Sequence, residues 1–363
     1  MDTSLMLHTP KVSVLMPVFN GEAYLREAIK SILRQTFSDF ELLILNDGST
    51  DTSAEIVSSF TDGRIRYMAS TGNCGLVQTL NRGLDLARGT YIARMDCDDI
   101  SLPRRLEYQV SFLDAHPEVG VCGTWYREVR GTISTIMRCA EDHSSILCGT
   151  LFNPVVGHPT VMLRKAMLDS YQLRYDPAFP HAEDYKLWSE CLKYYKFANI
   201  STVLMSYRIH SLQVSQSKLY AQMESSGRVR IALLREMGVD PSDEEFEVHQ
   251  FISALGRPYS NTFSQLFMED QLRKIDSWLC KLKGANAATA AYPEPAFSRI
   301  LVERWLGVVF LHFIMKAKLD AAFVKQSEIM GMVPSGKEIA ARFTLKRLGY
   351  LCNDVLDNFR IHR

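Results

Sequence analysis

The chain has 363 residues, enough for two domains or one large domain with an appendage. Its 47% hydrophobic and 23% charged residues are the balance of an ordinary globular fold. Lys+Arg and Asp+Glu each total 41, so the net charge is zero, which argues against a strongly basic nucleic-acid-binding protein.

The N-terminal stretch MDTSLMLHTPKVSVLMPVF lacks a basic start, a long apolar run and a small-residue cleavage site, so no secretory signal is expected. Residues 11–19, KVSVLMPVF, form a short β-rich run ended by Asn20-Gly21. EAYLREAIKSILRQ then places Leu25, Ile29, Ile32 and Leu33 at helical spacing. FELLILNDGST is an apolar strand running into a turn. STDTSAEIVSSF continues as a helix, with Ser49 or Thr50 as the expected cap. IRYMAS is a short strand, GLVQTLNRGLDLARG a helix closed by Gly89, and TYIARMDCDD a strand ending in acids. Strand and helix alternate at βαβ spacing, which predicts a parallel α/β core with ligands beyond the carboxyl ends of its strands.

Residues 104–215 are mixed. Helices are expected over LPRRLEYQVSFLDAHP, DHSSILCGTLF and EDYKLWSECLKYY, the last with Leu187, Cys191, Leu192 and Tyr195 on one face. EVGVCGTWYREVR, GTISTIMR and FANISTVLMSYRIH read as strands, and HPTVMLRKAML as a strand passing into a helix. After about Ser215 the pattern is helical, over 214–237, 241–254, 262–283, 295–316, 320–330 and 335–347. Breaks fall at Gly238, Gly256-Arg257-Pro258, the alanine-rich 284–293 and Pro334. The expected domains are therefore 1–215 and 216–363. The apolar run Trp305–Met315 is interrupted by His312 and is too short to span a bilayer. None of the eight cysteines has CxxC spacing, so free thiols and a cytoplasmic location are expected, with peripheral contact at the inner membrane face.

Four constellations carry chemistry. MDCDD places Asp96, Asp98 and Asp99 within four residues at a strand end. Such like charges cost stability unless solvent or a cation compensates. A hard divalent ion, Mn or Mg, with oxygen ligands answers that need; a solvated acidic turn is the plainer reading. In LLILNDGSTD, Asp47 stands where a strand gives way to a loop and can accept from a base or ribose. Gly48 permits close backbone approach there. Glu183 and Asp184 open a helix in HAEDYKLW, as favourable charge at a helix N-terminus or as a general base beside a sugar hydroxyl. Arg208 and His210 end a strand in SYRIHSLQVS; the histidine is structural or a metal ligand, and the arginine suits phosphate.

Taken in order, these segments resemble the inverting family-2 glycosyltransferases of the GT-A fold. The resemblance rests on VSVLMPVFNGEAYLREAIKSILRQTF, FELLILNDGSTD, NCGLVQTLNRGLDLARGTYIARMDCDDISLPRRLEYQVSFL, HPTVMLRK, HAEDYKLW and YRIHSLQVS, across residues 11–215. It implies a GT-A (Rossmann-like) mixed, mostly parallel central sheet flanked by helices. The helical C-terminal domain is outside it. The resemblance also implies roles. Pro17, Val18 and Asn20, with Glu22 nearby, would line the nucleotide pocket, and Asp47 would recognise a pyrimidine base. Asp98 would ligate the metal, Asp96 would face ribose or a metal-bound water, and Arg94 would help hold the diphosphate. Asp184 would be the catalytic base with Glu183 as its neighbour, His210 would complete the metal coordination, and His158 would fall among acceptor contacts. Asn46 stands where an acid is common and Cys97 where Ala or Ser is usual, but Asp47, Asp96 and Asp98 are intact.

The implied reaction moves a sugar from a nucleotide-diphosphate donor, UDP by default, to a glycan or lipid-linked glycan in cell-surface polysaccharide biosynthesis. A sugar nucleotidyltransferase would want a Gly-rich basic phosphate loop, which PVFNGEAYL lacks. A silent glycan-binding module is at odds with intact Asp98 and Asp184. The segment KEIAARFTLKRLGY at 337–350 reads as a solvated basic face on a packed helix or as a contact for anionic lipid.

Overall fold

The computed structural model describes residues 9–210, 218–255 and 269–316, together with Ser327 and Ile329. The helical pattern expected over 335–347, the segment 337–350 and nearly all of 320–330 lie outside these residues.

Strands β1 (Val12–Val18) and β2 (Phe40–Asn46) are buried at every position, which is why they read as apolar runs without alternation. They pair in parallel. β1 also pairs in parallel with β4 (Tyr91–Arg94), and β2 with β3 (Ile65–Ala69). Helices α1 (Leu25–Leu33), α2 (Ser53–Ser58) and α3 (Leu76–Leu86) are the crossovers between them. The amphipathic α1 buries Leu25, Ala28, Ile29 and Ile32, all part of the main core with Val14, Met16, Leu42 and Ile44.

Past β4 the sheet becomes mixed. β6 (Val119–Arg130) follows α4 (Arg105–Ala115), and β7 (Ile133–Met137) returns along β6 as an antiparallel hairpin. β8 (Met162–Arg164) runs antiparallel to both β4 and β6. β9 (Lys196–Arg208) is parallel to β6 and antiparallel to the short β5 (Ile100–Ser101). The order is β3-β2-β1-β4-β8-β6-β9-β5. α5 (His143–Thr150), α6 (Lys165–Ser170) and α7 (Glu183–Cys191) occupy the connections. Because β1, β2 and β4 are parallel and in register, the loops after Val18, Asn46 and Arg94 leave from one end of the sheet.

Three local expectations are corrected. α3 ends at Leu86, so Gly89 does not close it. Instead, the Gly89 N–H donates to Ser13 Oγ at 2.8 Å, and a Cβ there would lie 2.5 Å from the Ser13 nitrogen. The acids after Tyr91 are not strand: β4 stops at Arg94, and a turn brings the Asp99 N–H to the Asp96 carbonyl at 3.4 Å. The break expected over 284–293 begins late: the helix runs through the alanines to Thr289, as their propensity favours, before the chain leaves it.

A second compact unit gathers Leu147–Asn153 with the chain from Arg230 onward. Its helices are α8 (Leu219–Glu236), which starts in the first unit, α9 (Asp243–Ala254), α10 (Glu269–Thr289) and α11 (Ala296–Lys316). α8 is closed by Gly238 at φ 83, and α9 opens with a Ser242/Glu245 capping box. The run from Trp305 lies in α11, where Trp305 and Val308 are fully buried. Among the described residues no helix is long and apolar enough to cross a membrane.

The segment Leu147–Asn153 is gripped by buried polar groups. Trp278 Nε1 donates to His249 Nδ1 at 3.2 Å, which leaves the histidine proton on Nε2, donated to the Leu151 carbonyl at 3.1 Å. Burial pushes the His249 pKa down to about 3, so the ring stays neutral. Arg230 donates to the Phe152 carbonyl at 2.8 Å, and Asn153 Nδ2 to the Ser253 carbonyl at 2.5 Å. A chain cut after residue 215 loses all of these partners and uncovers Leu151 and Phe152, both 0% exposed. Such a fragment is expected to aggregate and to bind a hydrophobic dye. A monomeric 1–215 fragment with a cooperative melt would contradict this account.

Candidate active site

The loops after β1 and β2 are laced together. The Asn20 N–H, from a residue at φ 50, donates to Ser49 Oγ at 2.9 Å, and Asn20 Oδ1 accepts the Thr50 N–H at 2.9 Å. The Glu22 N–H donates to Asp51 at 2.9 Å, and Glu22 accepts the Thr52 hydroxyl at 2.8 Å. Asn20 and Glu22 thus spend polar atoms on loop geometry. Ser49 and Thr50 do not cap α2: the helix starts at Ser53 with Thr52 at its N-cap position and no side-chain capping bond, so both lie upstream of it, and Asp51 accepts the Ser53 N–H at 3.0 Å.

Asp47 is 3% exposed. Its carboxylate accepts the N–H groups of Cys74 at 2.8 Å and Gly75 at 2.9 Å, and the Cys74 thiol at 2.9 Å. Gly48, at φ 72, lies so close to the Gly72 backbone that a Cβ would sit 2.5 Å from its carbonyl carbon. Asp47 therefore fixes the loop that enters α3. Pro17 and Val18 are buried, Val18 within the main core. The side chain that stands free at the end of β1 is Phe19, 49% exposed. Its place directly after the β1 run was the available sequence signal.

Beyond β4, Asp96, Asp98 and Asp99 each bring an oxygen within 4.8 Å of the others. Arg94 Nη2 donates to Asp96 at 2.6 Å, and His210 Nε2 lies 2.9 Å from Asp98. Asp99 is 0% exposed, and one of its oxygens accepts the Arg208 N–H at 2.9 Å. Its other oxygen, also buried, has no hydrogen-bond partner among the described residues. Burial, then the Asp96 charge, pushes the Asp98 carboxyl above its ordinary range, against the pull of His210. The same two causes, joined by Asp98, push Asp99 further still. Three crowded carboxylates, a histidine and an orphaned buried oxygen fit a divalent cation. The end of β9 reaches this cluster by packing on α1: the His210 ring lies 4.9 Å from Tyr24, the Arg208 guanidinium 4.9 Å over that ring, and Arg208 pairs with Glu27.

The pair Glu183–Asp184 opens α7. Glu183 is buried, and burial followed by the Asp184 charge raises its pKa to about 7. Asp184 is half-buried and accepts the Tyr185 N–H at 2.7 Å. His158 lies 2.9 Å from the Tyr175 hydroxyl and edge-on to Trp188. Burial, then the Arg94 charge, holds His158 far below its usual pKa, so it is neutral. Arg94 is 1% exposed, and its charge acts on Asp96, Glu183, His158 and Tyr175 alike. The acidic cluster and the Glu183–Asp184 pair thus share one electrostatic neighbourhood. Tyr24, Tyr175 and Trp188 escaped the sequence reading, since nothing local distinguishes them from core aromatics.

Residues 13–150 match the model for Glycosyl transferase family 2. An uncharacterised glycosyltransferase of Haemophilus influenzae is 30% identical over 251 residues, covering 65% of this chain and 78% of that protein. A UDP-Glc:alpha-D-GlcNAc-diphosphoundecaprenol beta-1,3-glucosyltransferase of Escherichia coli is 29% identical over 209 residues, 57% of this chain and 80% of that protein. Among solved structures, S. aureus TarS 1–349 in complex with UDP-GlcNAc has a TM-score of 0.55 at 18% identity, covering 82% of this chain and 87% of that one. A mannosyltransferase of Pyrobaculum calidifontis in complex with GDP-Man and Mn2+ has a TM-score of 0.50 at 15% identity, covering 91% and 88%. At these identities the structural likeness concerns the fold alone.

The raised Glu183 carboxyl has a measurable sign. The native state keeps its proton up to about pH 7, whereas the ordinary value is 4.5. Between those values the native state binds more protons than the unfolded chain, so stability falls as pH rises through that window. Glu183→Gln is expected to remove roughly 1–3 kcal/mol of that fall, read by urea unfolding at pH 5 and 7.5. Equal pH slopes in wild type and variant would refute the buried-acid assignment.

Proposed function

Because the chain belongs to glycosyl transferase family 2, we propose that it is a metal-dependent, inverting enzyme using a nucleotide-diphosphate sugar, UDP-linked by preference. The acceptor is a hydroxyl of a glycan, carried on a lipid, in cell-surface polysaccharide biosynthesis. The observation that carries this reading is the shared neighbourhood of the acidic cluster and the Glu183–Asp184 pair around Arg94. The names of the similar proteins support the details: a diphosphoundecaprenol-linked acceptor with UDP-Glc in one, bound UDP-GlcNAc in another and, in the Pyrobaculum calidifontis mannosyltransferase, GDP-Man with Mn2+. Residues 1–215 hold the chemistry in this reading, 216–363 form a helical domain, and the protein works in the cytoplasm against the inner membrane face.

Asp98 and His210 are the proposed metal ligands, with Asp99 offering its unpartnered oxygen. When bound, the divalent cation neutralises charge on the departing nucleoside diphosphate. Asp96, held by Arg94, faces ribose or a metal-bound water, while Arg94 adds positive charge on the diphosphate side. The backbone after Pro17 and Val18 borders the nucleotide, shaped by the Asn20 and Glu22 lacing. Phe19 offers a ring for base stacking, and Asp47 serves a pyrimidine through its remaining lone pairs and through the loop it holds.

On the acceptor side, Asp184 takes the proton of the attacking hydroxyl. The hydroxyl oxygen bonds the anomeric carbon from the face opposite the diphosphate as the bond to the diphosphate breaks. The transition state has oxocarbenium character, and one displacement gives a β-linkage from an α-linked donor. Burial and the Asp184 charge raise the Glu183 carboxyl to about 7, so its proton exchanges in the neutral range beside the base. Neutral His158, braced by Tyr175, lines the acceptor side.

A panel of nucleotide sugars with Mn2+ or Mg2+ tests the class and finds the donor. Asp184→Asn is expected to lower kcat by about 10²–10⁴ with donor affinity kept. Asp98→Ala is expected to lose metal-dependent nucleotide binding. No turnover with any donor, unchanged nucleotide affinity in Asp98→Ala, or an α-linked product would each overturn the corresponding part.

A further inference from the structure

The β6–β7 hairpin stands at the rim of this site. β6 lies beside β9 with Val129 opposite Arg208, and the Ile209 N–H extends the pairing to the Val129 carbonyl at 2.9 Å. The next residue, His210, contacts Asp98. Two residues past Val129 the chain turns at Gly131, at φ 56, and returns with Ile133 opposite Arg130 and Ile136 opposite Arg127.

The surface of this hairpin is unlike a solvated edge. Ile133 is 56% and Ile136 36% exposed. Arg127, Arg130 and Arg138 are exposed, and among the described residues none of them pairs with a carboxylate. Arg138 lies 5.4 Å over the Trp125 ring, and Trp125 and Tyr126 are half-buried at the base. Against three arginines, residues 125–138 carry a single acid, Glu128. Guanidinium groups bind phosphate, indole and phenol rings favour the water–lipid boundary, and branched aliphatics insert beneath it. A protein partner would also cover the isoleucines, but the one-sided charge selects an anionic surface.

We propose that the β6–β7 hairpin docks this protein on an anionic phospholipid surface and so presents the active-site mouth to an acceptor held in that bilayer. The purpose rests on the lipid-linked acceptor proposed above; the test does not, because vesicle binding needs neither donor nor acceptor.

The full chain is co-sedimented with phosphatidylglycerol–phosphatidylcholine vesicles and with phosphatidylcholine alone. Wild type is expected to favour the anionic vesicles. Arg127→Gln/Arg130→Gln is expected to weaken that binding about fivefold per arginine. Ile133→Ser/Ile136→Ser is expected to weaken it several-fold, and both variants should keep the wild-type melt and donor hydrolysis. Absent or charge-independent wild-type binding overturns the proposal. So does full binding by both variants, which would hand any membrane contact to another segment such as 337–350. Should wild type hydrolyse no nucleotide sugar while the hairpin still governs vesicle binding, the enzymatic reading fails and the docking stands.

Discussion

The site is held together by an arginine that never meets water. Arg105 is 0% exposed, and its Nη2 donates to the carbonyls of Arg94 at 2.7 Å and Val161 at 3.2 Å. Its Nε donates to Gln109, whose amide passes on to the carbonyls of Cys122 at 2.7 Å and Thr160 at 2.9 Å. A guanidinium in the core is tolerable only when its donors are used. Even so, burial pulls its pKa down to about 9. This junction ties the strand end that carries the acids to the segment that carries His158. It reinforces the β4–β8 pairing, whose last rung is the Arg94 N–H to the Val161 carbonyl at 2.9 Å.

Electrostatics then divides the labour. The acidic cluster gathers negative charge that its own hydrogen bonds do not satisfy, and the buried Asp99 oxygen is the clearest sign. Across Arg94, His158 is kept neutral and Glu183 is raised to about 7, so that side carries less negative charge than two ordinary carboxylates would bring. One region therefore suits a cation with a diphosphate, and the other a neutral hydroxyl waiting to lose its proton.

Much of this was legible in the sequence because buried parallel strands announce themselves as apolar runs, and polar residues directly after such runs must lie at one sheet end. That logic put Asp47 and the acids from Asp96 beyond the strand ends, where the structure has them, while Glu183 and His210 were singled out by their own segments and by the family resemblance. What stayed hidden was non-local. Ser49 looks like a helix cap, but its hydroxyl accepts the N–H of Asn20, 29 positions earlier. Val18 and Phe19 are neighbours in an apolar run, and only the point where β1 leaves the sheet buries one and frees the other. The service of Asp47 to residues 74 and 75 needs a loop that folds back by way of Gly48. Likewise, Leu147–Asn153 reads as an ordinary helix end, and no local pattern says which core it joins.

That last segment has a consequence for how the chain comes to be folded. His249, which donates to the Leu151 carbonyl, follows it by 98 positions. At ribosomal speeds of about 5–20 residues per second, Leu151 and Phe152 emerge roughly 5–20 s before their cover exists. For that interval the nascent chain exposes an apolar stub, at first beside a mixed sheet still waiting for β8 and β9, which follow it in the chain. The catalytic half cannot mature ahead of its helical neighbour, and the protein's yield in a cell depends on whatever shields that stub until synthesis catches up.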